Sequence, residues 1–420
     1  MSVGESTVLA CRFCDTPLEH VFADLGMTPL ANSYLEKGQL LAMEPTYPLT
    51  AYVCAKCRLV QLPEFESPEA IFGDYAYFSS YSDTWLEHCR RYCEAMTARL
   101  GLDASSQVIE IASNDGYLLK NFHAAGIPVL GIEPAANVAR AAEEAGIPTR
   151  VEFFGRDCAT RLQAEGIQAD LLLGNNVFAH VPDLNDFAGG MAPVLAPEGV
   201  LTLEFPHLLR LIEASQFDTI YHEHFSYFSF TTARLVLEAH GLEVFDVEEL
   251  PTHGGSLRVF AQHAGDGRHE TRPMVAELLA LEDRRGLGRV ETYLDFDRRV
   301  RRVKRGLLGF LIEAANDGKT VAAYGAAAKG NTLLNFCGVG TDFLEYVADR
   351  SPHKQGRWLP GSRLPIVAPE KIFETRPDYV LILPWNLESE IARDLAGVAE
   401  WGGQLLVAVP EVRVLDLTAT

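Results

Sequence analysis

Across the middle of the chain, short runs in which nearly every position is apolar alternate with longer stretches in which apolar residues recur every three to four positions. Gln107-Val-Ile-Glu-Ile-Ala112 and Val129-Leu-Gly-Ile-Glu133 are runs of the first kind, as are 169–174 and 200–205. Runs this short, bounded by turn residues, read as strands buried on both faces. Between the first two, 116–125 carries a helical period and is stopped by Gly126; the Ala/Glu-rich stretch 135–145 ends in the same way at Gly146. Glycine suits that position because it enters the left-handed region without a Cβ clash. Strands separated by helices of about 10–15 residues predict a doubly wound, mainly parallel sheet. Segments 242–247 and 256–262 predict a closing antiparallel pair.

After a helical stretch at about 270–318 the pattern restarts. Thr320-Val-Ala-Ala-Tyr324 reads as a strand feeding the loop Gly325-Ala-Ala-Ala-Lys-Gly-Asn331 and a helix, with further apolar strands at 344–348, 379–383 and 404–409. That is a second α/β unit. Residues before about 70 are instead rich in turns and short strands, including one at 47–54. The fold class is therefore α/β in three segments: a small N-terminal domain at 1–70, a Rossmann-like domain at 71–265 and a second Rossmann-like domain at 266–420.

Composition narrows the picture. A chain of 420 residues is too long for one ordinary domain, and 48% hydrophobic with 22% charged residues describes a soluble globular protein. No apolar run reaches the roughly 18–20 residues that span a bilayer. The N-terminus lacks a basic stretch followed by an apolar core, so the expected compartment is the cytoplasm, with no membrane partner. A formal charge of −21 disfavours nucleic acid as a partner. The one basic run, 298–305, is expected to be the solvated face of a helix.

Four of the eight cysteines form two pairs, Cys11/Cys14 and Cys54/Cys57. Thiolates at i and i+3 in a tight knuckle point at one ion, and two knuckles complete a tetrahedron. Four protein ligands leave no open position, which makes the expected Zn²⁺ structural. A segment with so little core would draw much of its folding energy from the metal.

The first strand turns into the first helix through Glu110-Ile-Ala-Ser-Asn-Asp-Gly116, where the small residues Ala112, Ser113 and Gly116 admit a ligand close to the backbone. Glu133, followed by Pro134, ends the next strand and is placed to bind both hydroxyls of a ribose. NAD enzymes use a similar acid, but the G-x-G-x-x-G fingerprint is absent: Ala112 and Asn114 replace glycines, and Asp115 would repel a diphosphate. S-adenosylmethionine carries a positive sulfonium and no phosphate, so it suits an acidic loop. Asn175, Asn176 and His180 follow a later strand on the same side of the sheet.

Tyr221-His-Glu-His-Phe-Ser-Tyr227 packs six polar-capable groups into seven residues, which points to a lined cavity. Acid/base work fits this segment, while a metal site or a set of satisfied structural polar groups remains open. Further on, the loop carrying Tyr324, Gly325, Lys329 and Asn331 opens a helix and makes an anion site suited to a diphosphate. Asp349, Arg350, Lys354, Trp385 and Asn386 follow successive strands, where a nucleotide's base and ribose would lie. Arg258 is a weaker candidate contact.

Taken together, Glu110–Gly116, Glu133, Asn175–Val181 and Tyr221–Phe228 resemble the class I S-adenosylmethionine-dependent methyltransferases. The paired-cysteine segment and C-terminal α/β unit resemble one subfamily, the sugar C-methyltransferases of bacterial deoxysugar pathways. The resemblance implies a dTDP-linked 4-keto-deoxyhexose methylated at C3, with His224 as base; beside it, Glu223 is placed to orient that base or bind the substrate, Tyr221 to donate to an enolate oxygen, His180 to share in proton transfer or hold the sugar, and His222 to contact the substrate. Tyr75, with Tyr77 in the same aromatic run, matches a position lining the cleft between the last two domains. Methylation at C5, an NAD-dependent sugar-nucleotide oxidoreductase and a non-catalytic sugar-nucleotide or zinc protein are the alternatives. The oligomeric state stays open, and a monomer would suffice.

Overall fold

The computed structural model describes residues 9–67 and 83–415. By contact the chain forms two compact units, neither of them one continuous stretch. The first takes Met1–Leu18, Cys54–Leu208 and Phe225–Arg289; the second takes Glu19–Val53, Leu209–His224 and Val290–Thr420.

In the first unit a long helix, α1 (Asp83–Leu100), precedes a seven-stranded sheet. Its strands are β1 (Val108–Ile111), β2 (Val129–Ile132), β3 (Thr149–Arg150), β4 (Ala169–Asn175), β5 (Leu195–Pro206), β6 (Leu242–Leu250) and β7 (Ser256–His263). The connecting helices are α2 (Leu119–Ala124), α3 (Ala136–Glu144), α4 (Arg156–Ala164), α5 (Leu184–Val194) and α6 (Phe230–Ala239), and α7 (Pro273–Arg284) closes the unit. Spatial order is β3-β2-β1-β4-β5-β7-β6, with β7 antiparallel to both neighbours and the rest of the ladder from β3 to β5 parallel. Both faces are covered: Ile111 and Leu172 join one core, Val108 and Leu171 the other. That double burial is why the strands carry no polar alternation. The order reverses between β1 and β4, and loops leaving strands at such a switch point enclose the crevice where α/β sheets bind ligands.

In the second unit, strands His20–Thr28 and Tyr47–Val53 pair antiparallel. Helix α8 (Phe296–Asn316) stacks Phe296 on Phe22 at 4.4 Å between ring centroids. The sheet comprises β8 (Val321–Tyr324), β9 (Val347–Ala348), β10 (Ile366–Val367), β11 (Tyr379–Ile382), β12 (Gln404–Val407) and β13 (Arg413–Val414), in the order β10-β9-β8-β11-β12-β13. Helix α9 (Ala328–Cys337) follows β8, α10 (Glu370–Thr375) follows β10 and α11 (Glu388–Asp394) follows β11. All neighbours are parallel except β12 and β13, and the switch point falls between β8 and β11.

The basic run lies on α8. Val300, Val303, Leu307 and Leu311 are its buried stripe. Arg298 pairs with Asp295 and Arg301 with Asp297, while Arg299 and Lys304 donate to the carbonyls of Glu213 and Phe336. Cations occupied in this way form a solvated helix face. Among the described residues no helix is long and apolar enough to cross a membrane.

Candidate functional site

Four cysteine sulfurs, those of Cys11, Cys14, Cys54 and Cys57, lie within 4.8 Å of one another. Cys11 and Cys57 are 3.5 Å apart, Cys14 and Cys54 3.6 Å. Tetrahedral zinc with Zn–S bonds of about 2.3 Å requires sulfurs about 3.8 Å apart, so the four fit that ion. The two pairs are built alike. The residue after each second cysteine is left-handed (Asp15 φ 57°, Arg58 φ 63°), and its N–H donates to the carbonyl of the first cysteine at 2.9 and 3.1 Å. Further donors face the sulfurs: Lys56 N–H toward Cys54 Sγ at 3.4 Å and Gln61 Nε2 toward Cys11 Sγ at 3.2 Å. Such contacts steady a thiolate cluster from outside.

At the switch point of the first sheet, the loop after β1 is wound through alternating left-handed residues: Ala112 (φ 56°), Asn114 (φ 51°) and Gly116 (φ 74°). A side-chain-bearing residue in that region costs about 1–2 kcal/mol, and such residues concentrate at ligand sites. Two glycines make the loop possible. A Cβ on Gly116 would meet Ile147 at 3.0 Å, and one on Gly131 of β2 would lie 2.3 Å from Ser113 Oγ. Glu133 pins the loop, accepting from the N–H groups of Asn114 (2.9 Å) and Ala135 (2.8 Å) across Pro134. Burial pushes its carboxyl up.

Glu110, on β1, is fully buried, and neither carboxyl oxygen has a hydrogen-bond partner among the described residues. Burial, with Glu133 and Asp115 nearby, pushes its carboxyl well above the ordinary range. The side-chain amide of Asn175, at the end of β4, is buried and has no partner among the described residues. Orphaned polar atoms of this kind are costly unless a ligand satisfies them. The acidic loop with Asp115 and Glu133 suits a ligand that carries a cation better than it suits a diphosphate, and S-adenosylmethionine is such a ligand.

Asn176 (φ 56°) donates its N–H to the Glu204 carbonyl at 2.8 Å, and its side chain meets His253 at 3.3 Å. His180 ends the 3-10 turn Phe178–His180 and is half-buried. Arg258 does not line this crevice as a free cation. Its guanidinium donates to Glu204 at 2.7 Å and Glu248 at 2.8 Å and lies over Tyr92.

Residues 221–224 fall in the second unit. His224 Nδ1–H donates to the Thr219 carbonyl at 2.8 Å. A carbonyl only accepts, so the proton is on Nδ1 and the Nε2 lone pair is left to accept from Tyr221 O–H, also at 2.8 Å. Glu223 is buried, and both its oxygens accept from Asn32 Nδ2 at 2.7 and 3.0 Å. Burial pushes this carboxyl up to about 7. Tyr34 O–H donates to Asn32 Oδ1 at 3.3 Å and to the Ala326 carbonyl at 2.7 Å. His222 is tied instead to the strand Tyr47–Val53, donating Nε2–H to Pro48 at 3.1 Å with its ring edge-on to Tyr47.

The loop after β8 is pressed against the segment after β11. A Cβ on Gly325 (φ 93°) would fall 2.4 Å from Pro384, and one on Gly330 2.7 Å from Leu383. Lys329 donates to Asn386 at 2.7 Å and stands 4.8 Å over the Trp385 ring, whose Nε1–H donates to Asp218 at 2.7 Å. Asp218 is fully buried, and burial raises its carboxyl to about 6 against the pull of Lys329. Asp349 accepts from the Ala326 N–H (2.7 Å) while Lys354 donates to the Ala326 carbonyl (2.9 Å). Tyr324 is buried at the end of β8, and Asn331 is buried in α9 with its Oδ1 unsatisfied among the described residues. Arg350 stays at the surface, paired with Glu390 and Asp394. Tyr75 and Tyr77 lie outside the described residues. Asp218, Asn32 and Tyr34 were not singled out from the sequence, although Asp218 stands only three residues before Tyr221.

Comparison with known proteins adds an independent line. Three family profiles match in succession: a zinc binding domain at 11–72, a methyltransferase domain at 85–247 and a C-methyltransferase C-terminal domain at 251–410. The chain is 39% identical over 412 residues to the C-methyltransferase NovU of Streptomyces niveus, covering 98% of this chain and 97% of that protein. Among solved structures it is similar to an S-adenosylmethionine-dependent methyltransferase of Clostridium acetobutylicum (11% identity, 44% of this chain and 94% of that one, TM-score 0.35). It is also similar to the magnesium protoporphyrin IX methyltransferase ChlM of Synechocystis, solved with bound S-adenosylmethionine (15% identity, 47% and 89%, TM-score 0.33).

Proposed function

Because the chain belongs to the S-adenosylmethionine-dependent C-methyltransferases, with a class I methyltransferase domain and a four-cysteine zinc site, we propose that its acceptor is the carbon α to the ketone of a dTDP-linked 4-keto-deoxysugar, at C3. Such a sugar would serve deoxysugar and antibiotic biosynthesis. The observation that carries this reading is the His224 tautomer: Nδ1–H donates to the Thr219 carbonyl, which makes Nε2 the accepting nitrogen, hydrogen-bonded to a tyrosine hydroxyl. Methylating carbon beside a ketone demands such a base, because the C–H proton must be removed before the carbon can attack.

The chain's own residues divide the work. Glu133, Glu110, Ser113, Asn114 and Asn175 hold the methyl donor at the strand ends of the first unit. S-adenosylmethionine, when bound, supplies a methyl carbon made electrophilic by its sulfonium. His224 Nε2 takes the C3 proton as the Tyr221 hydroxyl leaves that nitrogen and turns to donate to the developing enolate oxygen. Protonated imidazole keeps its hydrogen bond to Thr219, so the ring need not turn. Glu223, neutral or charged near pH 7, holds the segment through Asn32, and His180 contacts the sugar. Lys329, with Asn386 and the N–H groups of 328–330 at the start of α9, takes the diphosphate, and Trp385 marks the nucleoside end. Residues 1–70, 71–265 and 266–420 are the corresponding functional modules.

The test is incubation with candidate dTDP-keto-sugars in deuterium oxide, with and without labelled cofactor. Exchange at C3 without cofactor, and label at C3 with it, is the expected result. Label on oxygen or at C5 would overturn it.

Two further outcomes are expected. Glu133→Ala should weaken S-adenosylhomocysteine binding at least about 100-fold by calorimetry, since it removes a charged acceptor worth roughly 1.5–3 kcal/mol per hydrogen bond and unpins the Asn114 loop. Glu223 supplies a pH signature. Its carboxyl rises from the ordinary value to about 7 on folding, so its neutral form is favoured in the folded protein. Stability from this group is complete at pH 4 and lost as pH rises through 7, by about 3 kcal/mol in all. Melting temperatures measured from pH 5 to pH 8.5 should therefore fall more steeply for the native protein than for Glu223→Gln; parallel curves would count against the assignment.

A further inference from the structure

The first zinc knuckle holds more than two ligands. Arg12, between Cys11 and Cys14, donates from Nη1 to the carbonyls of Pro182 (2.6 Å) and Val181 (3.4 Å) and from Nη2 to that of Leu62 (2.5 Å). Its guanidinium carbon lies 5.4 Å from the Phe225 ring centre. The backbone is locked as well. Arg12 N–H donates to Gln61 Oε1 at 2.9 Å, the same side chain whose Nε2 faces Cys11 Sγ, and Asn185 Nδ2 donates to the carbonyls of Arg12 and Phe13 at 3.1 Å each.

What the knuckle grips is specific in sequence. Val181 and Pro182 are the two residues directly after His180. On the other side Leu62 N–H donates to the Phe225 carbonyl at 3.0 Å, and Val60 and Gln61 pair with Tyr227 and Ser226, the residues that follow His224. Arg12 Nε is buried and has no partner among the described residues, so part of a cation's hydration is given up for three carbonyls. An apolar side chain would fill that space with less desolvation, which argues that the guanidinium is kept for the geometry it imposes.

We propose that Arg12 is a positioning residue for methyl transfer: the zinc-bound knuckle, acting through its guanidinium fork, sets the backbone that carries His180. The proposal rests on the reading that His180 contacts the sugar. The test uses full-length, zinc-loaded Arg12→Ala, with Arg12→Lys as a second variant should the first fold poorly. Zinc content should stay at one ion per chain. Amide hydrogen exchange across 176–183 should quicken about tenfold or more while the knuckle at 9–18 is unchanged. In turnover, kcat should fall about 10–100-fold with the KM for the methyl donor within about threefold, the size expected from a misplaced contact. Arg12→Ala combined with His180→Asn should be no slower than His180→Asn alone. Unchanged exchange across 176–183, a loss matched by lost zinc, or losses that multiply would overturn the proposal. Full activity in His180→Asn would instead overturn the assignment of His180.

Discussion

His224→Asn is expected to lower kcat for carbon methylation about 10²–10⁴-fold, the range spanned by removal of a general base, while leaving affinity for S-adenosylhomocysteine within about twofold. The split follows from where the residues sit. The acids and amides that would hold the donor are on strand ends of the first unit, whereas His224 and its partners Thr219 and Tyr221 are grouped in the second. Asparagine is too short to span the distance from the Thr219 carbonyl to the Tyr221 hydroxyl, so it removes the base and releases the tyrosine together. Solvent-deuterium exchange at C3 in the absence of donor should vanish with kcat. Tyr221→Phe is expected to be milder, about 10–100-fold, because Nε2 survives as a base but loses its orienting donor. Persistent exchange in the His224 variant would assign the base elsewhere.

The second large effect belongs to the metal. Cys54→Ser, or extraction of zinc with a strong chelator, is expected to unfold the first unit or render it insoluble, read as zinc stoichiometry against loss of the near-ultraviolet signal. Structural zinc contributes apparent binding energies of about 10–16 kcal/mol, as large as the 5–15 kcal/mol by which whole proteins are stable. Here the ion also fastens elements far apart in sequence. Cys57 O accepts from Thr232 on α6, Arg12 grips the residues after His180, and the strand after the second knuckle pairs at 226–227. Cys337→Ser is the control: buried but outside the sulfur cluster, it should cost little stability and leave zinc content unchanged. A Cys54 variant that keeps both zinc and its melting temperature would remove the ion from the folding argument.

Much of this architecture was legible in the sequence because its signals are local. All-apolar runs betray strands covered on both faces, CxxC spacing betrays a knuckle, and Ala112, Ser113 and Gly116 mark a loop that lets a ligand approach. Strands β3, β10 and β13 escaped because two residues carry no period. The pairings that escaped depend on distant partners. Arg258 reads as an available cation until Glu204, 54 positions away, is brought beside it. Asn32 meets Glu223 across 191 positions, and Arg12 meets Pro182 across 170. Nothing in a neighbouring residue announces such pairings, and the division of residues 221–224 from the cofactor loops is equally invisible to a segment-by-segment reading.

The interleaving of the two units bears on how the polypeptide is made. The chain passes from one unit to the other at 18/19, 53/54, 208/209, 224/225 and 289/290. All four zinc ligands leave the ribosome early, yet the residues their knuckles clasp, 181–182 and 226–227, follow more than a hundred positions later. At roughly 5–20 residues per second, about 12–46 s of elongation separate Cys57 from Arg289. Until then the nascent knuckles hold a metal without the surfaces they are shaped to grip, so expression under zinc limitation should penalise yield of the full chain before it affects any catalytic property. The same path means that no single cut yields either unit whole, and gene fragments ending near residue 70 or beginning near 266 would each carry pieces of two incomplete cores.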